Sequence, residues 1–326
     1  MALRRALVLG GAGFIGSAVC RHFFERGWEV TCVDGLLART TSEHEGFQRV
    51  PADIRQIEKR IDDTESALQV MQDADLVVDA IGWTSHWGAL DDPFYDMSLN
   101  LRPHIALSQA LKSAAPHLFV YLGSRHQYGR VEEDDMDESA PFRPVDVQGI
   151  HKSAADEHLR LAAKDTNAAI VSLRFGNTFG PGQPVRGPDV GLLGDFMRRA
   201  IVGDTLKVYG TARRRTLHYA PDLAAIIEAI GQAKPVCGYT PLNVPGENIG
   251  IADLARLIVD NAGAGTVEAG PLSPDVASID VGDRAFDSSR LDALCGPITL
   301  TPLSEAVRTT INDVRMRLGC GKNTAS

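Results

Sequence analysis

Short apolar runs alternate along this chain with longer stretches in which apolar residues recur every three or four positions. Residues 6–9 are an apolar run ending in glycines, which predicts a buried parallel strand. Residues 14–25 carry apolar side chains at helical spacing, and 28–33 predict the next strand, ending at Asp34. Strand, glycine-rich turn, helix and strand make one βαβ unit. The alternation continues with strands expected at 50–54, 76–81, 118–122 and 169–175. Helices are expected at 65–71, at 99–115 (stopped by Pro116) and at 151–163. Residues 131–144 are acidic and proline-bearing, a solvated surface loop. This order predicts an α/β fold, a Rossmann-type doubly wound parallel sheet.

After Asn177 the regular alternation stops, and Gly and Pro crowd positions 180–194. A smaller C-terminal α/β substrate-binding region is expected to start here, with a helix at 222–230 returning to the main sheet. The expected division is 1–178 plus about 211–236 for the Rossmann domain, 179–210 and about 237–320 for the substrate-binding region, and 321–326 for a tail.

Composition narrows the function. The 326 residues are 44% hydrophobic and 23% charged, ordinary for a soluble globular protein. A net charge of -9 argues against nucleic-acid or anionic-membrane partners, which need a basic surface. No run approaches the roughly 20 apolar residues of a membrane span, and the chain starts directly on a strand-like segment with no secretory peptide visible. The five cysteines (20, 32, 237, 295 and 320) are odd in number and scattered, as in a reducing, cytoplasmic compartment. No Cys/His group has zinc-ligand spacing, so no metal is expected.

Gly10, Gly13 and Gly16, with Phe14 and Ile15 between them, follow a strand and open a helix. Such glycines let the backbone approach a pyrophosphate, and the helix N-terminus points unpaired N–H groups at its charge. Asp34, 18 residues after Gly16, stands where a carboxylate meets the adenosine ribose. It would repel the 2′-phosphate of NADP, so NAD is the expected cofactor.

Several further segments carry a resemblance: Ala-Asp-Ile at 52–54, Asn100, Gly-Ser-Arg-His-Gln-Tyr-Gly at 123–129, Lys152, Arg-Phe-Gly-Asn-Thr-Phe-Gly-Pro-Gly at 174–182, and Arg-Thr-Leu-His-Tyr-Ala-Pro-Asp-Leu at 215–223. With the glycine loop they resemble the extended short-chain dehydrogenase/reductase family, the nucleotide-sugar epimerases and dehydratases. The resemblance implies tightly held NAD, a homodimer built from two helices per subunit, and adenine contacts at Asp53 and Ile54. It implies catalytic roles for Ser124 and Lys152, with Lys152 also holding the nicotinamide ribose. It implies substrate binding by Ser124, Tyr128, Asn177 and Arg215, the last two gripping the substrate pyrophosphate.

The chain departs from that pattern at one decisive position. The family's catalytic tyrosine precedes its lysine by four residues, one helical turn. That position holds Gln148, whose amide has no titratable proton. Arg125 and His126 stand where the family's dehydratases carry Asp-Glu, and His126 titrates near neutrality. Asp280 falls where a second substrate arginine is usual, with Arg284 nearby. His151 lies one residue round from Lys152 and is expected to face elsewhere.

The expectation is therefore an NAD-dependent epimerase- or dehydratase-type enzyme acting on a nucleotide sugar or a similar anionic sugar. Ser124, Gln148, Lys152 and His126 form its catalytic set, with His126 or a water carrying protons and Tyr128 or Tyr219 as substitute acids. Two alternatives stay open: a catalytically silent NAD-binding protein of the same fold, or an ordinary enzyme bearing an introduced Tyr-to-Gln change.

Overall fold

The computed structural model describes residues 4–320 except 44, 132–134, 188–189, 234–236, 273, 275–276, 278–279 and 283. The tail expected at 321–326 lies outside the described residues.

The strands of the main sheet are buried apolar runs. They are β1 (Arg5–Leu9), β2 (Glu29–Asp34), β3 (Arg55–Glu58), β4 (Leu76–Asp79), β5 (Leu118–Leu122), β7 (Ala169–Arg174) and β11 (Tyr239–Asn243). β6 (Asp135–Met136), β8 (Asn177–Phe179), β9 (Thr205–Tyr209) and β10 (Arg214–Tyr219) lie outside it, as do β12 (Glu247–Gly250), β13 (Thr266–Gly270) and β14 (Ala285–Phe286). The seven strands run in the order β11-β7-β5-β4-β1-β2-β3, every neighbouring pair parallel. The order reverses between β1 and β4, which opens a ligand crevice at the carboxyl ends of those strands.

Helices α1 (Phe14–Glu25), α2 (Thr64–Met71), α3 (His86–Asp91), α4 (Pro93–Asn100), α5 (Arg102–Ala114) and α6 (Val147–Ala162) belong to the first half of the chain. α7 (Gly191–Ile201), α8 (Ala220–Gln232), α9 (Ile251–Ala262), α10 (Ser289–Cys295) and α11 (Leu303–Arg317) belong to the second. One face of the sheet packs Val8, Val78 and Val171 against Phe23 of α1 and Ile227 of α8. The other packs Leu7, Val77 and Phe119 against Met71 of α2, Leu107 of α5 and Leu159 of α6. A third core gathers Phe196, Leu217, Leu254 and Ile311 around α7, α9 and α11. Among the described residues no helix is long and apolar enough to cross a membrane.

Four expectations give way. The strand expected at 50–54 is a turn: Val50 and Ile54 are buried in the core, but the strand is the polar edge segment β3. The helix expected over 99–115 is two. Leu101 leaves helical geometry at φ -133°, ψ -54°, and α5 restarts with Pro103 in its first turn, where a missing N–H costs nothing. Helix α6 starts at Val147 rather than 151, because Asp146 caps it by accepting the Gly149 N–H at 2.7 Å. Finally, β11 lies within the stretch assigned to the substrate region, yet it closes the main sheet in register with β7.

Candidate active site

The glycine loop lies at the switch point. Gly10 has φ +68°, a left-handed conformation, and a Cβ there would lie 2.6 Å from the Ala80 carbonyl oxygen at the end of β4. A Cβ on Gly16 would collide with Gly10 O, so that glycine lets α1 pack onto the turn. Gly13 caps α1 with no side chain in the way. Phe14 and Ile15 form its first turn, Ile15 against the core. Asp34 ends β2, where its carboxylate accepts from Ala12 N (3.1 Å), Leu36 N (2.8 Å) and Ser42 Oγ (3.0 Å). It thereby locks the loop to β2. Asp53 is exposed, and Ile54 turns its side chain into the core while its N–H donates to Pro51 O at 3.1 Å. A backbone stripped of Cβ atoms where strand ends meet a helix N-terminus fits a dinucleotide pyrophosphate.

Lys152 is buried on α6 and donates from Nζ to Leu122 O at 3.0 Å. Burial lowers its pKa, against the pull of Asp79, Asp96 and Asp156. Burial also pushes Asp79 up to about 7, opposed by Lys152. A Cβ on Gly82 would meet Asn100 Oδ1 at 2.9 Å and Lys152 Nζ at 3.2 Å, so this glycine keeps open the space in front of the lysine. One turn earlier on α6, Gln148 donates from Nε2 to Trp83 O at 2.6 Å, and Asn100 Nδ2 donates to the same oxygen at 2.9 Å. Gln148 is thus fixed beside Trp83.

Ser124 begins a short 3-10 turn over Arg125–Gln127. Its Oγ accepts the His126 N–H at 3.1 Å, while its own N–H donates to Gln127 Oε1 at 2.6 Å. His126 Nδ1 lies 2.7 Å from Asp146 Oδ2. His86, the first residue of α3, places its Nδ1 2.9 Å from the same oxygen, and its ring stacks on that of His126 with centroids 3.9 Å apart. Burial, then the neighbouring His86, brings the His126 pKa down to about 4, so it does not titrate near neutrality as its residue type predicts. Burial alone would raise Asp146, but the His126 hydrogen bond and the adjacent imidazoles hold it well below the usual carboxylate range. At neutral pH Asp146 is therefore an acceptor only. His126 Nδ1 must carry the proton, and its Nε2 has the free lone pair.

Not every expected residue reaches this site. Tyr128 is fully buried: its OH donates to Asn243 Oδ1 at 2.8 Å and accepts from Arg174 at 2.9 Å, and burial pushes its pKa up to about 12. It is a core residue, neither a substrate contact nor a substitute acid. Tyr219 packs against Phe179 at the start of α8, and burial raises its pKa. Arg125 is buried and donates to Val281 O at 3.2 Å. His151 turns to Asp96 Oδ1 on α4 at 2.6 Å, as its place on the helix implies.

Arg215 on β10 and Arg213 before it each place NH2 2.6 Å from Asp280 Oδ2. Asn177 begins β8, the parallel neighbour of β10. Asp280 therefore occupies the arginine pair.

His86, Asp146 and Trp83 were not singled out from the sequence. The local signal was slight: Ser85 caps α3 by accepting the Gly88 N–H at 3.1 Å, and Asp146 opens α6. Nothing in the spacing joins them to His126.

Comparison with known proteins places this geometry. Over 231 residues the chain is 29% identical to the low-salt glycan biosynthesis protein Agl12 of Haloferax volcanii, spanning 69% of this chain and 72% of that protein. A UDP-glucose 4-epimerase of Thermotoga maritima, solved with UDP-glucose, superposes with a TM-score of 0.84 at 22% identity, covering 96% of this chain and 99% of the other. A UDP-glucose 4-epimerase of Thermus thermophilus in complex with NAD gives 0.79 at 26% identity, covering 95% and 99%. The NAD dependent epimerase/dehydratase family matches residues 6–238, and its dinucleotide fits the glycine cradle found here. The chain belongs to the NAD dependent epimerase/dehydratase family, and NAD is its cofactor.

Proposed function

We propose that this enzyme acts on a nucleotide sugar or a closely similar anionic sugar, and that its proton transfers run without the family's tyrosine. The observation that carries the reading is Gln148, one turn before Lys152 on α6 and bound to Trp83 O. An amide there can orient a hydroxyl or carbonyl but cannot take a proton. NAD, when bound, takes up or returns a hydride. Gly10, Gly13 and Gly16 would cradle its pyrophosphate, Asp34 would meet the adenosine ribose, and Lys152 would meet the nicotinamide ribose. Ser124 would hydrogen-bond the reacting oxygen. The proton-carrying role falls to His126, beside Ser124 and oriented by Asp146 at 2.7 Å.

The nucleotide-sugar names of the relatives support the substrate class. Arg213, Arg215 and Asn177 would receive its phosphates once Asp280 gives way. In this reading the Rossmann half holds NAD and the smaller region covers the sugar. Two copies of the chain would associate through the exposed Phe94 and Met97 of α4 and Ile150 of α6, in line with a helix-built dimer. Five unpaired cysteines agree with a cytoplasmic setting.

The test is calorimetry of the NAD-loaded protein with UDP-, dTDP-, GDP- and CDP-sugars, followed by product analysis of whichever binds. Binding and conversion of at least one sugar nucleotide is expected. Binding without any conversion would favour the catalytically silent alternative, and no binding at all would remove the substrate class.

A further inference from the structure

Three capped turns from distant parts of the chain deliver one donor atom each to a single point. Ser85 starts α3 and thereby sets His86. Ser124 starts the 3-10 turn and sets His126. Asp146 caps α6 with Oδ1, at 2.7 Å from Gly149 N, which leaves Oδ2 directed away from the helix. The last two turns are pressed together: a Cβ on Gly149 would lie 2.5 Å from His126 O and 2.9 Å from Pro144 Cβ. The donors of His86, His126 and Asp146 lie within 4.8 Å of one another. His86 Nδ1 is buried, 2.9 Å from Asp146 Oδ2, yet lacks the alignment of a hydrogen bond and has no other hydrogen-bond partner.

We infer that His86, His126 and Asp146 form a binding site for a divalent transition metal ion of the zinc class, held through both Nδ1 atoms and Asp146 Oδ2, the ion displacing the proton that His126 Nδ1 otherwise donates to that oxygen. Two imidazoles and one carboxylate are a ligand set that zinc takes in catalytic sites, with the fourth position left to water. Metal–ligand bonds of about 2.1 Å set donor–donor edges of about 3.4 Å in a tetrahedron. The observed separations of 2.7 and 2.9 Å reach that spacing by a small outward turn of the two rings. The carboxylate side chain is wholly buried while the histidine side chains are 28% and 19% exposed, so the ion has an entry path on the imidazole side. The Gly149 N–H fixes the carboxylate from behind, as outer partners of metal ligands do.

The site shares α6 with Gln148, two residues from Asp146, and His86 is three residues from Trp83. An ion there brings a positive charge and an acidified water to a pocket where Gln148 supplies no proton. In this respect the inference rests on the reading of Gln148 given above, whereas metal binding itself does not.

The test uses the full chain with its NAD, stripped with a chelator and titrated with Zn²⁺ by calorimetry and with Co²⁺ by visible absorption. No sugar is present, so the result is independent of whether any nucleotide sugar is turned over. One equivalent of metal is expected, with the intense visible bands of four-coordinate Co²⁺. His86→Ala, on a short surface helix, should weaken uptake by at least about 100-fold while NAD content and circular dichroism stay as in the parent. Asp146→Asn, which keeps the helix cap, should weaken it likewise. Failure of the parent to take up one equivalent overturns the inference, as does uptake by His86→Ala as tight as the parent's.

Discussion

His126 shows how much one side chain depends on neighbours that the sequence hides. Its place after Ser124 was legible, because the segment 123–129 is contiguous. Asp146, which orients it, lies 20 positions on, and His86, which stacks on it, lies 40 positions back; only folding brings the three together. Tyr128 misleads for the converse reason. Its neighbours in sequence line the site, but its ring points into the core and its OH is satisfied by Asn243 and Arg174. We expect His126→Ala to retain bound NAD and lose at least about 100-fold in turnover, the ordinary scale of general acid–base catalysis; a full rate on the true substrate would remove His126 from the chemistry. His218 gives a second expectation. Burial brings its pKa from 6.5 down to about 4, against a hydrogen bond to Pro245 O. Between those values the unfolded chain binds a proton that the folded chain refuses, so stability falls as pH drops from about 6.5 to about 4. The group accounts for up to about 3 kcal/mol of that fall. Denaturant titrations should show a shallower acid slope in His218→Gln, and identical slopes would refute the assignment.

At the scale of elements, local pattern and tertiary packing contribute unequally. Helix α1 occupies the same residues, 14–25, that helical spacing predicts, because its apolar face is complete and a glycine starts it. β3 escapes the pattern because it is an edge strand with little apolar signature, while Val50 and Ile54 bury themselves from a turn. The break at Leu101 is hidden because apolar spacing runs on through it, and Pro103 is tolerated in a first turn. The βαβ unit is most sensitive where α1 meets the loop. Gly16→Val would force the helix away from Gly10 O, so we expect a lowered Tm and protein purified without dinucleotide. Heat release of bound nucleotide measures this, and an NAD content equal to the parent's would contradict it.

The whole molecule combines a fully parallel sheet with an apolar patch on its surface. Phe94 is 78% exposed and Ile150 53%, large side chains that a second copy of the chain would cover. Phe94→Glu should therefore shift the native mass measured by light scattering from dimer to monomer; a monomeric parent would dispose of the proposed association. The sheet order has another consequence, which concerns how the chain can be cut. β11 reaches its place only after β8, β9 and β10 have been built, and it is the outer neighbour of β7. Every residue of β7 is buried, and it carries Ile170, Val171 and Leu173. A fragment ending before Tyr239 would hold the whole glycine loop and six strands of the main sheet, β1 to β5 and β7. It would also present β7 as a bare apolar edge, the kind of template on which other chains stack. Such a fragment is expected to collect in the insoluble fraction, whereas one extended past Asn243 should be markedly more soluble. The last strand of the sheet would then govern whether the half that binds the dinucleotide can exist apart from the rest.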